Sequence, residues 1–201
     1  MGRDIVIGGI DADTINASDG NNIIIGDSGY IDWTASDIGR DYISSTTYTG
    51  GMLSGDDSDA SDIDRIFSTD PDHGGNDTIT TGDGDDIIIG GEDGEEVSEV
   101  VSNGITTAYT VAPATNINGV EGDIINAGQG DNLVFGDNGQ ITAAESDTPR
   151  FGNYALTIRR IETIANDVGG VDVISTSAGR SIILGGHEND SVTTKKFASP
   201  L

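Results

Sequence analysis

The sequence predicts an all-β fold, a parallel β-solenoid of about four coils with antiparallel β-hairpins inserted between coils and packed on one face. Three observations carry that prediction. An eighteen-residue pattern is written four times, from Gly8, Asp72, Asn118 and Asp167. Each copy is two nine-residue halves, a turn rich in Gly, Asp and Asn followed by a three-residue strand. Between the copies lie segments whose apolar residues alternate or cluster as they do in strands. Repetition at a fixed period means a stacked architecture, because one unit can bury its apolar face only against its neighbours.

The copies read GGIDADTINASDGNNIII, DHGGNDTITTGDGDDIII, NGVEGDIINAGQGDNLVF and DVGGVDVISTSAGRSIIL. Their first halves share an Asp and, two residues on, an Ile: Asp13 and Ile15, Asp77 and Ile79, Asp123 and Ile125, Asp172 and Ile174. The second halves keep a glycine at the fourth position (Gly20, Gly84, Gly130, Gly179), but the sixth is Asn22, Asp86, Asn132 and Ser181. A further turn follows each copy, GDSG from Gly26, GGED from Gly90, GDNG from Gly136 and GGHE from Gly185. The coils therefore fall near 8–29, 72–94, 118–139 and 167–193 of a single repeat domain spanning 1–201, with insertions near 30–71, 95–117 and 140–166. The first and third insertions resemble each other at both ends, and the middle one has two β-prone runs around an Asn-Gly turn.

Side chains alternate along a strand, so the central residue of each run points into the solenoid and its neighbours point out. In the first halves the outward neighbours are mostly polar or small, as at Thr14 and Asn16 or Thr78 and Thr80. That sheet can face water. In the second halves they are Ile23 and Ile25, Ile87 and Ile89, Leu133 and Phe135, Ile182 and Leu184, all large and apolar. A strand apolar on both faces is covered on both faces. The expected cover is the inserted hairpins, through Ile31, Trp33, Ile66, Phe67, Tyr109, Val111, Phe151, Tyr154, Leu156, Ile158 and Ile161. The rival cover is a second copy of the chain or a neighbouring domain.

The half-repeats resemble the RTX nonapeptide, G-G-x-G-x-D-x-U-x with U a large apolar residue. That resemblance implies a right-handed parallel β-roll that folds around calcium in a secreted protein. It implies ions between stacked turns, bound by the sixth-position aspartates and by turn carbonyls. The edge carrying Asp13, Asp77, Asp123 and Asp172 is then the complete one, with Gly75 in its usual glycine position and Asp11 and Glu121 replacing the glycine in two other turns. The opposite edge offers Asp83, Asp85 and Asp86 in one turn, while Asn22 and Asn132 read as amides bonding along the stack. Asp27 and Asp137, in the GDxG turns, complete the candidate ligands. Fewer ions are expected than in an uninterrupted roll.

Charge points to the same ion independently. The formal net charge is −26, and from Ile66 to Pro149 there are seventeen Asp and Glu but no Lys or Arg. Stacking such carboxylates at the ~4.8 Å strand spacing is strongly repulsive without a cation. Oxygen-only ligands favour Ca²⁺ over Zn²⁺ or Cu²⁺. With no cysteine and thirty glycines, neither disulfides nor a rigid backbone hold the chain, so metal binding is folding energy. No apolar stretch approaches a membrane span, and the acidity excludes nucleic acid as a partner. The chain reads as a piece of a larger protein with any secretion signal elsewhere, its partners being calcium and flanking domains.

Catalysis has little support. His73 and His187 both sit in turns, and neither belongs to an HExxH motif. Gly26-Asp27-Ser28-Gly29 aligns with Gly136-Asp137-Asn138-Gly139, which marks a recurring turn rather than a nucleophile. The leading expectation is a non-enzymatic structural module of a secreted or cell-surface repeat protein, such as an adhesin, a surface-layer component or a toxin. The alternatives are the non-catalytic module of an extracellular enzyme and a solenoid that binds ice or polysaccharide through its first sheet.

Overall fold

The computed structural model describes residues 2–33, 62–102, 105–113, 121–144 and 150–195, which are all-β with no helix. Two parallel sheets face each other. The first contains β2 (Thr14–Ser18), β6 (Thr78–Thr81), β10 (Ile124–Asn126), β14 (Val173–Thr176) and β16 (Ser191–Thr194), in that spatial order. The second contains β1 (Ile5–Ile7), β3 (Ile23–Ile25), β7 (Ile87–Ile89), β11 (Asn132–Phe135) and β15 (Ser181–Leu184). Thus β1 and β16 extend the sheets beyond the four repeats that the pattern marks.

Register follows the repeat. Ile15, Ile79, Ile125, Ile174 and Val192 align across the first sheet, and Val6, Ile24, Ile88, Val134 and Ile183 across the second. These central residues meet between the sheets with Ala17 and Ala127, forming a narrow core with Ile24, Ile79, Ile88, Ile125, Val134 and Ile174 fully buried. A slip of one residue would turn each Ile outward, so the register is fixed by burial. The outward positions of β2 are exposed, and the first sheet faces solvent.

A third, antiparallel sheet lies over the second. Its order is β13 (Ile158–Thr163), β12 (Gly139–Ala143), β5 (Arg65–Ser68) and β4 (Gly29–Asp32), so the first and third insertions share one sheet rather than forming separate hairpins. Ile63, Ile66, Ile141, Tyr154, Ala155 and Leu156 pack with Ile23, Ile25, Ile87, Ile89, Leu133 and Phe135, joined by the partly buried Ile31, Phe151, Ile158 and Ile161. Phe67 is buried but turns to Tyr30, edge to face at 4.3 Å between ring centres, because neighbours on a strand point to opposite faces. Trp33, expected in the cover, is instead 38% exposed just past the end of β4. The middle insertion forms a separate antiparallel pair, β8 (Glu95–Ser102) with β9 (Ile105–Pro113), and the side chains of Tyr109 and Val111 lie outside the described residues.

From β3 to β11 the second sheet is thus a middle layer and its outward isoleucines are core, whereas Ile5 and Ile7 on β1 at its edge stay exposed. Truncating Ile89 to Ala in the calcium-loaded protein should cost about 2–5 kcal/mol in chemical denaturation. A cost near zero would mean that the third sheet does not cover the roll in solution.

Candidate metal centre

The turns at one edge of the roll stack an aspartate on an aspartate. The Asp13 amide donates to Asp77 Oδ1 at 2.7 Å, the Asp77 amide to Asp123 Oδ1 at 2.6 Å, and the Asp123 amide to Asp172 Oδ1 at 2.9 Å. The Asp172 amide continues the row to Asp190 Oδ1 at 3.1 Å. One oxygen of each of these carboxylates is therefore spent on the coil before it. The other oxygen, Oδ2 of Asp77, Asp123 and Asp172, is buried with no hydrogen-bond partner.

Glycine makes room for that oxygen. A Cβ added at Gly26 would overlap Asp77 Oδ2 and the Gly90 carbonyl, and one at Gly90 would overlap Asp123 Oδ2 and the Gly136 carbonyl. At Gly136 the clash would be with Asp172 Oδ2 and the Gly185 carbonyl. Each unsatisfied carboxylate oxygen thus sits beside the carbonyl of a later turn of its own coil, against a glycine of the coil before.

Such an arrangement is unstable without a counter-charge. Burial above all pushes Asp77 up to about 7, against the pull of the Asp13 amide. Burial, then the charge of Asp137, pushes Asp172 up to about 8. Asp123 is raised well above the usual carboxylate range by burial and by the charges of Asp93, Asp172 and Asp77. The remedy is either a proton or a cation. A hard ion that accepts several oxygen ligands in irregular geometry fits carboxylate and carbonyl donors of this kind, and calcium is such an ion. The residues that would hold it are the aspartates of the row with the turn carbonyls beside them.

The opposite edge is built otherwise. Asn22 accepts from the Asp4 amide at 3.1 Å, Asp86 from the Asn22 amide at 2.8 Å, and Asn132 from the Asp86 amide at 3.0 Å. Here the second side-chain atom of the asparagines is a donor. Asn22 Nδ2 bonds the Ser18 and Gly20 carbonyls, and Asn132 Nδ2 bonds the Ala127 carbonyl. An amide therefore occupies turn carbonyls that would otherwise need a cation. Asp86 alone in this row keeps a buried, unpartnered Oδ2, and burial raises it to about 6.

The remaining candidates fall into different settings. Asp85 accepts from the Asp131 amide and from both nitrogens of Asn153, and the exposed Asp83 accepts from Gln129 Nε2. Asp11 and Glu121 are exposed; Asp11 adopts the left-handed region at φ 79°, whereas in the third coil that role passes to Gly122. Gly75 donates its amide to Asp27 Oδ1 at 3.0 Å, and the Glu92 amide donates to Asp27 Oδ2 at 2.6 Å. Asp137 repeats the arrangement with the amides of Gly170 and His187. Each GDxG aspartate thus ties the strand leaving the roll to the strand re-entering it and to the next turn.

Two carboxylates in this region escaped the sequence reading. Asp190 ends the row, and the run GGHENDSV that contains it is itself a half-repeat directly after the fourth copy. Asp93 lies in the GGED turn with both carboxylate oxygens buried and unpartnered. Nothing in that short turn distinguishes it from a solvated one. It stands where the register-matched turns have Gly29 and Gly139, and only the stacking brings it against Asp137 and Asp172.

The model of the RTX calcium-binding nonapeptide repeat matches the chain in four copies, over residues 1–30, 73–94, 119–140 and 168–195, together just over half of its length. No curated protein and no solved structure matches it.

Raised carboxyl pKa values set the direction of the pH response. Groups lifted from 3.8 to about 7, 8 and 9 at Asp77, Asp172 and Asp27 bind protons more tightly in the folded, metal-free chain than in the unfolded one. The folded state then holds more protons between roughly pH 4 and 9, so metal-free stability is present at acid pH and falls as pH rises. Far-UV circular dichroism in EDTA should show a lower melting temperature at pH 8 than at pH 5, with millimolar calcium removing the difference. The reverse order would mean that the row is not buried in the metal-free fold. Separately, Gly136→Ala should weaken calcium binding measured by calorimetry, because the added methyl takes the space beside Asp172 Oδ2.

Proposed function

The chain belongs to the RTX calcium-binding nonapeptide repeat family, and from that premise we propose that it is a calcium-stabilised structural module of a larger secreted protein. The observation that carries the proposal is the row of buried Oδ2 atoms on Asp77, Asp123 and Asp172, each lacking a partner and each set between a glycine of the preceding coil and the carbonyl of a later turn of its own coil. Calcium, when bound, supplies the positive charge that lets these carboxylates stack in their ionised form. The aspartates do the rest. Their Oδ1 atoms fix the spacing of successive coils through backbone amides, and their Oδ2 atoms select for an ion.

The expected work is mechanical rather than catalytic. A chain that stays loose where calcium is scarce and stiffens where it is millimolar folds after export and then spaces or displays another domain, as in an adhesin, a surface-layer protein or a toxin. Sites of the affinity found in extracellular modules suit that role. Both histidines fit it too, since His73 is exposed and His187 uses its backbone amide to hold Asp137.

Far-UV circular dichroism with and without EDTA tests the proposal. Calcium added back to millimolar should restore β signal, and Asp123→Asn, which keeps the shape and loses the charge, should shift the midpoint by roughly tenfold to higher calcium. Full β structure in EDTA with no thermal shift on adding calcium would leave the three sheets holding the fold alone and the proposal would fail.

A further inference from the structure

Among the described residues, one place gathers three carboxylates whose oxygens lie within 4.8 Å of one another: Asp93, Asp137 and Asp172. Asp172 belongs to the repeat row, but Asp93 and Asp137 occupy no aspartate position of the nonapeptide. They come from the departing turns of two successive coils, Gly90 to Gly94 and Gly136 to Gly139. Asp172 is fully buried with an unpartnered Oδ2, and both oxygens of Asp93 are shielded and unpartnered. From outside the trio, the fully buried Asp123 also leaves Oδ2 without a partner.

We propose that Asp93, Asp137 and Asp172 form a calcium site built onto the Asp172 end of the row from two residues outside it, binding more tightly than the sites made by the repeat turns alone and filling first. The identity of the ion rests on the reading of the chain as a calcium-binding roll; the place does not. A repeat turn offers one free carboxylate oxygen, since Oδ1 is held by the preceding coil. Here Asp93 adds two, and Asp137 brings the site to three carboxylates while its oxygens are aligned by the Gly170 and His187 amides. Calcium affinity rises with the number of charged ligands and the rigidity of the site. An ion bound here clamps the second, third and fourth coils, at the point where two insertions interrupt the stack.

The test is calcium titration by calorimetry, with equilibrium dialysis to count bound ions, on the intact chain and on Asp93→Asn. The intact chain should show a tight phase ahead of a weaker one. The variant should lose the tight phase, bind one ion fewer, and keep the weaker phase. Its metal-free form should melt higher than the parent's, because a neutral amide relieves repulsion among buried charges; a merely structural aspartate would give a lower melting temperature. Unchanged ion count and affinity in Asp93→Asn would overturn the site while leaving the calcium-stabilised module standing. No calcium binding by the intact chain would overturn both.

Discussion

The constraint on which the structure depends is that an aspartate has two oxygens and the stack uses only one of them. An amide on the preceding coil takes Oδ1 of Asp77, Asp123 and Asp172, and this bond sets coil against coil as firmly as the sheet hydrogen bonds do. What remains is a line of buried oxygens that water cannot reach. An unsolvated charge of that kind is intolerable unless matched. The fold is thus tied to its ion by geometry: the residue that spaces the coils is the residue that demands a cation.

The two edges of the roll show how small a change releases that demand. Where the sixth residue is Asn22 or Asn132, the stacking bond is kept and the free atom becomes a donor to the turn's own carbonyls. The same backbone is then closed by an amide rather than by a metal. Arg180 ends this edge in yet another way, pairing with Asp131 and lying 4.8 Å over the ring of Phe151. One edge is therefore responsive to the medium, and the other, Asp86 apart, is held by bonds that need nothing added.

Much of this was legible in the sequence, for reasons tied to particular positions. The Asp and Ile that recur two residues apart, as at Asp77 and Ile79, mark a turn and an inward strand centre, and the all-β parallel stack follows from them. The apolar pairs Ile87 and Ile89 or Leu133 and Phe135 could only belong to a doubly covered strand. The pairing of β5 with β12 was not legible. RIFS and GQITA carry no mutual signal of pairing, because antiparallel contact between distant segments leaves no periodicity behind. Asp93 was hidden for the opposite reason: its environment is made entirely by residues far away in sequence, and its own turn looks like any acidic loop.

The shared sheet changes how this roll comes together. In a simple solenoid each unit touches only the next, and structure can spread from any pair of neighbours. Here β5, which precedes the second repeat, is hydrogen-bonded to β12, which follows the third. The cover cannot close until the third coil has formed, and the second sheet stays uncovered until then. The smallest cooperative unit is consequently several coils long, and the long-range contact that seals it slows its formation. A chain of this design does not zip from one end; it assembles a block at once or remains open.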